Sequence, residues 1–225
     1  MYRLYHYPLC PFSRKVRVHL AAKNIGFELV QENFWLRRRE FIAMNPAATV
    51  PVLFDNSNSA IITGSSTIIE YIEEKHPESK SLLGKTPAER AEVRRVQMWF
   101  DEKFHHEAGK HILNERYFNR YFNKSASPSS EILRLARKNL NTHLNYIEYI
   151  LESKKYLCSN QISVGDIAAA CQISCIDYFG DINWNHFNSA REWYSVIKSH
   201  KIFNPILLDV LPSIKPVEWY ANLDF

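Results

Sequence analysis

The chain has 225 residues, a formal net charge of +4, and 46% hydrophobic and 13% aromatic residues. This length and hydrophobic content exclude a disordered chain and indicate one or two domains with their own cores. The small positive charge is too weak to indicate a nucleic-acid-binding protein. No apolar run approaches the roughly 20 residues of a membrane helix, and the N-terminal residues lack a signal-peptide core. We therefore expect a cytoplasmic protein without membrane insertion.

The cysteine and histidine patterns exclude two kinds of structural site. The chain has four cysteines, at Cys10, Cys158, Cys171 and Cys175. They are too few and too unevenly spaced for a disulfide framework, so a reducing compartment fits them. The spacing of His105, His106 and His111 matches no strong zinc pattern, and we predict no metal site. Any special cysteine in this chain is then expected to be either catalytic or simply buried.

The first third of the chain alternates strand-like and helical segments. The predicted elements are, in order, a strand at 2–6, a helix at 13–23, a strand at 27–30, a helix or irregular turn at 34–44, strands at 52–54 and 60–62, and a helix at 65–75. Four turn residues at 55–58 make the last two strands a hairpin. The order β-α-β-α-β-β-α is the thioredoxin-like arrangement.

After about residue 80 only helical periodicity remains. The polar segment around Pro77 and Gly84 ends at Thr86-Pro87-Ala88-Glu89, which combines a capping residue, a proline at the first helical position and an acid that can return the bond. A second capping box is predicted at Ser163 and Asp166, before a small, apolar and centrally buried helix. We therefore predict a thioredoxin-like domain at 1–79, a linker at 80–85, and an all-helical domain at 86–225 with an extended tail.

Three motifs make the chain resemble the glutathione S-transferase superfamily. They are the segment 7–17 (YPLCPFSRKVR), the segment 45–53 (NPAATVPVL), and the capping box at Ser163 and Asp166. The first is similar to the family's active-site turn and first helix, the second to its cis-proline segment, and the third to its helical folding motif. The resemblance implies an α/β thioredoxin-like domain followed by an all-α transferase-type domain, and a homodimer.

A narrower resemblance is to the FzlA-type branch of that superfamily, whose members bind FtsZ filaments in bacterial division. The segments that carry it are Trp35 with Arg37, 46–48, 176–178, 181–184, 193–194 and 219–225. This resemblance implies a non-catalytic transferase-fold protein, whereas the wider family implies an enzyme. We keep both hypotheses, with the enzyme as the first and the FtsZ-binding protein as the alternative.

Cys10 is the candidate catalytic residue, because it lies where the active-site turn meets the first helix. Helix N-termini favour anions, so we expect the pKa of this thiol to be lowered, with Arg14 adding positive charge. The resemblance implies glutathione-dependent thiol transfer, or conjugation of a small electrophile, with Cys10 as nucleophile or thiolate stabiliser. Ser13, or less readily Tyr7, would donate to the glutathione sulfur. The alternative is an unreactive Cys10 at a tight turn.

The resemblance also implies a set of residues that bind glutathione as co-substrate. This set is Tyr7, Phe12, Arg37, Val50, Pro51, Gly64 and Ser65. Val50, before a predicted cis-Pro51, would pair with the cysteinyl part of the ligand, and Ser65 would hold the γ-glutamyl carboxylate. The family usually has an acid or glutamine at the position of Gly64, and its loss removes a charged hydrogen bond worth about 1.5–3 kcal/mol. This departure favours the binding-protein hypothesis.

The run Phe34-Trp35-Leu36 beside three arginines is the candidate partner-binding surface of that second hypothesis. Exposed tryptophan next to arginine is typical of protein-binding hot spots. Trp35, Arg37 and Arg38 are therefore predicted to contact FtsZ, together with Phe225 if the aromatic tail is presented to a partner. The alternatives are a Trp35 folded back over the sheet, solvated arginines, and a tail packed along the first domain.

Overall fold

A computed structural model describes residues 1–125, 127–212 and 214–222 of the chain. The chain consists of two compact units, Met1–Leu82 and Leu83–Phe225. The division falls inside the segment 80–85, which the sequence analysis treats as a linker. Within the described residues, no helix is both long and apolar enough to cross a membrane.

The first unit is a mixed four-stranded sheet with helices. Its elements are β1 (Tyr2–His6), α1 (Pro11–Ala22), β2 (Phe27–Gln31), a 3-10 turn (Phe34–Leu36), α2 (Arg39–Met44), β3 (Val52–Asp55), β4 (Ala60–Thr63) and α3 (Ser65–Lys75). The strands lie in the order β2-β1-β3-β4. β1 and β2 run parallel, while β3 is antiparallel to both β1 and β4. The predicted thioredoxin-like order of elements is confirmed.

The core of this unit forms because apolar residues recur along each strand and helix at the spacing that places them on one face. Alternate residues of a strand share one face, and helical residues four apart share another. The buried cluster consists of Tyr2, Leu4, Leu53 and Ile62 from the sheet, Val16 and Leu20 from α1, and Ile68 and Ile72 from α3. This core fixes the ends of β1 and β3, where the candidate site lies.

Helix α1 begins at Pro11, two residues before the predicted start. A proline is tolerated in the first helical turn because its missing N–H has no intrahelical partner there. Cys10 is consequently the N-cap residue, with extended backbone, and its carbonyl accepts from the Arg14 amide at 2.9 Å. Pro11 is therefore the first residue of α1, and Cys10 lies directly at the helix N-terminus.

The second unit is helical. Its elements are α4 (Pro87–Met98), π-helical turns (Trp99–Gly109), α5 (Lys110–Leu113), further π-helical turns (Asn114–Phe118), α6 (Asn119–Phe122), α7 (Ser130–Leu151), α8 (Val164–Asp177), a 3-10 turn (Trp184–His186), α9 (Asn188–Ser199) and α10 (Asn204–Leu207). The predicted capping box of Thr86 and Glu89 opens α4. The helical run from Pro87 continues to Phe122.

Helix α8 is the central helix of this unit. All of its residues are buried, and it packs against α4 and the first π-helical turns. The small side chains 168–170 allow that close approach on several sides. The prediction of a centrally buried helix behind the Ser163–Asp166 box is confirmed.

The segment after α10 folds back onto α8 and α9. The Tyr178 hydroxyl donates to the Ile214 carbonyl at 2.7 Å, and the Val217 amide donates to the Tyr178 carbonyl at 3.1 Å. The Lys198 ammonium donates to the Trp219 carbonyl at 3.3 Å. Residues 218–219 form a turn, so the extended conformation predicted for the tail is wrong there. Phe225, a predicted partner contact, lies outside the described residues.

Candidate functional site

The turn between β1 and α1 brings several predicted site residues together. The Cys10 thiol donates to the Val50 carbonyl with 3.7 Å between sulfur and oxygen. The Val50–Pro51 peptide bond is cis, as predicted. The Gly64 amide donates to the Pro51 carbonyl at 3.3 Å. Cys10, Val50, Pro51 and Gly64 therefore form one chain of contacts inside the first unit, and Ser65 follows Gly64 as the first residue of α3.

Cys10 is a protonated thiol at neutral pH. Burial is the largest influence on it and raises its pKa above the ordinary value, although part of the residue reaches the surface. The Ser13 hydroxyl, the amides of Ser13 and Phe12, and the Arg14 guanidinium act in the opposite direction and offset only part of this effect. The predicted lowering of the Cys10 pKa is therefore wrong.

Ser13 and Tyr7 support the turn from inside. Ser13 is fully buried, and its hydroxyl accepts from the Tyr7 amide at 3.4 Å. Tyr7 is 2% exposed, and its ring packs edge-to-face against Trp35 with 5.0 Å between centroids. Both residues are buried in this structure, and a contact of either hydroxyl with a glutathione sulfur stays a prediction. Of the predicted residues in this turn, Cys10 and Phe12 reach the surface.

Gly64 is required by the backbone at the start of α3. Its φ is +84°, a conformation that side chains with a Cβ disfavour. A Cβ built there has open space, because its nearest neighbour is the Thr67 Oγ1 at 3.8 Å. Ser65 is largely buried. The helix N-terminus behind Gly64 offers amide donors to a carboxylate, but Gly64 offers no acid to an ammonium.

These residues fit glutathione only in part. The Val50 carbonyl can accept a second hydrogen bond beside the one from Cys10, since a carbonyl oxygen has two lone pairs. The start of α3 suits the γ-glutamyl carboxylate. The ammonium of that group lacks a charged partner at Gly64, and the neutral Cys10 thiol is a weak nucleophile. The arrangement suits binding of a peptide-like ligand better than thiol transfer.

The segment after β2 presents an apolar and a basic side chain on the surface of the first unit. Trp35 is half-buried, because its ring packs against Tyr7 and Phe34. The structure therefore agrees in part with each alternative, an exposed tryptophan and a tryptophan folded back over the sheet. Leu36 is 61% exposed. Arg37, in the left-handed region with φ +47°, is exposed and forms no ion pair with any described residue.

Arg38 forms two ion pairs within the first unit. Its guanidinium binds the buried Glu32 carboxylate at 2.6 Å and also contacts Glu40 at 3.5 Å. Removing Arg38 would leave a buried carboxylate unpaired, so this arginine stabilises the loop. Its contact with FtsZ stays a prediction. Sequence reasoning missed both Glu32 and the exposure of Leu36. The signal for Leu36 was available, because a 3-10 turn cannot bury three consecutive large side chains.

His105 is one of the histidines of the long helical run in the second unit. His105 Nδ1 lies 3.3 Å from the Gln172 Oε1, which fixes that ring within the helical core. Among the described residues, no group of three or more histidine, cysteine, aspartate or glutamate side chains is placed to hold a metal ion.

Comparison with known proteins identifies the family to which this chain belongs. Residues 4–80 match the family model "Glutathione S-transferase, N-terminal domain". The chain is 41% identical over 224 residues to FtsZ-localized protein A of Caulobacter vibrioides, covering 99% of this chain and 97% of that protein. It aligns over its whole length with a glutathione S-transferase from Rhodospirillum rubrum (TM-score 0.96, 43% identity, all of that chain). It also aligns over its whole length with FzlA from C. crescentus (TM-score 0.94, 39% identity, 99% of that chain).

Similarity of this extent agrees with the sheet order and the cis Val50–Pro51 bond. The chain belongs to the glutathione S-transferase superfamily, in the branch that contains FzlA.

Proposed function

We propose that this protein binds FtsZ filaments in bacterial cell division and that glutathione-dependent transfer is not its principal activity. The observation that carries the proposal is the 41% identity, over 99% of the chain, to a protein named for its localisation to FtsZ. The proposal implies a cytoplasmic protein, and membership of the superfamily favours a homodimer.

The chemistry of the candidate site supports this choice over an enzyme. Thiol transfer needs a thiolate, whereas burial keeps Cys10 protonated. Transfer also needs a firmly held tripeptide, whereas Gly64 removes the partner of the γ-glutamyl ammonium. Each departure lowers the expected activity, and together they favour a fold retained for recognition.

The proposed FtsZ contact is the surface formed by Trp35, Leu36 and Arg37. Trp35 is held by the Tyr7 ring, so little conformational entropy is lost when a partner covers its exposed edge. Leu36 adds exposed apolar area, and Arg37 adds an unpaired cation. Tryptophan and arginine are the residue types that dominate binding energy at protein interfaces.

Co-sedimentation with FtsZ filaments assembled in GTP tests the proposal. We expect wild-type protein to pellet with filaments, and Trp35→Ala and Arg37→Glu each to weaken binding by roughly 30-fold or more, the loss of a hot-spot residue. Lys80→Glu, an exposed charge reversal in the same unit, is the matched control and should bind as wild type does. Wild-type protein that stays in the supernatant at tens of micromolar FtsZ would overturn the proposal.

A second candidate function is glutathione binding without efficient transfer. The observation that favours it is the chain of contacts from Cys10 through Val50 and Pro51 to Gly64. Calorimetric titration of glutathione, with Cys10→Ala in parallel, measures this binding independently of FtsZ. Glutathione binding in the absence of FtsZ binding would favour the second candidate over the first.

A further inference from the structure

The second unit carries a groove of its own, at the end of the long helical run. Its volume is about 520 Å³. The residues that line it are Tyr117, Arg120, Tyr121, Lys124 and Ile214. We call it the aromatic–basic groove. It belongs entirely to the helical unit, whereas the proposed FtsZ contact around Trp35 belongs to the first.

Aromatic side chains form the floor of this groove and extend past its edge. The rings of Tyr117 and Tyr121 lie 5.6 Å apart, and those of Phe118 and Phe122 stack at 6.3 Å. Tyr117 is buried, but Tyr121 is 40% and Phe122 59% exposed. Neighbouring large aromatics left in water are typical of surfaces that a protein partner covers.

Among the described residues, the side chains that line the groove carry positive charge. Arg120 and Lys124 are exposed, and neither forms an ion pair with any residue that the structure describes. Nearby, Arg116 and Arg137 share the single buried carboxylate of Asp181, at 2.6 and 2.9 Å. Two guanidinium groups against one carboxylate leave a further positive charge, so the groove attracts anions.

A second acid in this region does not pair with the cations that line the groove. Glu115 is buried and accepts from the Asn119 side chain at 3.0 Å and from the Ser129 amide at 2.7 Å. Its two oxygens therefore accept hydrogen bonds from α6 and from the N-cap of α7, and Glu115 forms no ion pair with Arg120 or Lys124 among the described residues.

We propose that the aromatic–basic groove docks an acidic peptide segment of a protein partner. A large apolar side chain of the peptide would pack against Tyr121 and Ile214, and its carboxylates would pair with Arg120 and Lys124. A small organic anion could fill the groove, but it would leave Phe122 in water because Phe122 lies outside the lining. A peptide running along α6 covers Phe122 as well, which is why the observations favour a peptide.

Selection from a phage-displayed library of roughly 12-residue random peptides, with the full chain as bait, tests the proposal. We expect enriched peptides to be acidic and to carry at least one large apolar residue. Binding of a fluorescein-labelled enriched peptide should weaken at least about tenfold in the double variant Arg120→Glu/Lys124→Glu, because two attractive pairs become repulsive. Tyr121→Ala, which keeps the charges, should also weaken it.

The control is the double variant Lys138→Glu/Lys201→Glu, which reverses two exposed lysines outside the groove lining and should bind as wild type does. Circular dichroism melting curves establish that each variant is folded. The proposal is overturned if acidic peptides are not enriched, or if they bind the groove variants as tightly as the control. It is also overturned if anilinonaphthalene sulfonate, a small aromatic anion, binds the groove while no peptide does. None of these results depends on FtsZ.

Discussion

At the residue scale, Gly64 links a backbone requirement to a chemical loss. The backbone there has φ +84°, and a side chain would be strained although its Cβ has room. Such a conformation disfavours side chains by roughly 1–3 kcal/mol. A glycine therefore relaxes the start of α3 and at the same time removes any acid that could bind an ammonium. Stability and ligand affinity are opposed at this position.

Gly64→Glu should consequently change the two properties in opposite directions. We expect glutathione to bind about tenfold more tightly or better, since a charged hydrogen bond to the ammonium is restored. We expect the free energy of unfolding to fall by roughly 1–3 kcal/mol because of the strain. Calorimetric titration measures the first change and urea denaturation the second.

Gly64→Ala is the matched control, because it introduces the same strain without the acid. It should lose stability and gain no affinity. Equal glutathione affinity in Gly64→Glu and Gly64→Ala would show that the missing acid is not what limits binding at this site.

The position of each site residue was predictable from the sequence, but its environment was not. Cys10 was predicted to lie where the active-site turn meets the first helix, and it is the N-cap of α1 although that helix begins two residues before the predicted start. The direction of its pKa shift was wrong because burial of its sulfur depends on residues distant in sequence. For the same reason the sequence could not show that Glu32 engages Arg38. Local patterns identify which residues meet, and tertiary packing decides what they can do.

At the element scale, the two capping boxes differ in burial. The box at the start of α4 is exposed, with the Glu89 amide donating to the Thr86 Oγ1 at 3.2 Å. The box at the start of α8 is buried. Its Asp166 carboxylate accepts from the Ser163 amide at 3.0 Å, the Leu157 amide at 2.8 Å and the Trp193 indole at 3.1 Å. Asp166 therefore joins α8, the preceding loop and α9.

We expect Asp166→Ala to destabilise the protein far more than Thr86→Ala does. Loss of an exposed cap lowers the free energy of unfolding by about 1 kcal/mol. Loss of Asp166 leaves several buried donors unsatisfied, which we expect to lower it by roughly 3 kcal/mol or more. Urea denaturation of the two variants measures the difference.

If Asp166→Ala does not fold, Asp166→Asn provides the comparison, because its amide oxygen keeps part of the acceptor set. Similar losses for Thr86→Ala and for the Asp166 variants would contradict the structural role assigned to Asp166. Both boxes were predictable because a cap is specified by residues three apart. The π-helical turns after Met98 were not, since they depend on how that helix packs against α7 and α8.

At the scale of the whole molecule, two buried histidines make stability depend on pH. Burial lowers the pKa of His6 to about 3, with a further contribution from the Arg17 charge. Burial also lowers the pKa of His19 to about 3, helped by Lys23 and Lys15. Glu73 lies 3.4 Å from the His19 ring and favours its charged form. It also lies 3.2 Å from the Lys23 ammonium, so its charge is shared and burial prevails.

Acidification should therefore destabilise the protein well above the range where carboxylates titrate. The unfolded chain protonates these histidines near pH 6.5, whereas the folded protein resists protonation until about pH 3. The unfolded state binds more protons between those values, so stability is complete above pH 6.5 and is lost as the pH falls. Between pH 7.5 and 5.0 we expect His6 and His19 to lower the free energy of unfolding by roughly 4 kcal/mol, about half from each. Burial also lowers the pKa of His105 and of His143, so these two residues act in the same direction. Urea denaturation at a series of pH values measures this slope.

Single substitutions show which histidines cause the pH dependence of the free energy of unfolding. His6→Gln and His19→Gln should each remove roughly 2 kcal/mol of the pH dependence, whatever their effect on stability at pH 7.5, because glutamine binds no proton in this range. His186→Gln, at an exposed position, should leave the slope as it is in the wild type. A wild-type stability that stays constant from pH 7.5 to 5.0 would mean that the folded protein accommodates both charged rings. That result would contradict the present structure, in which the side chains of His6 and His19 are buried away from water.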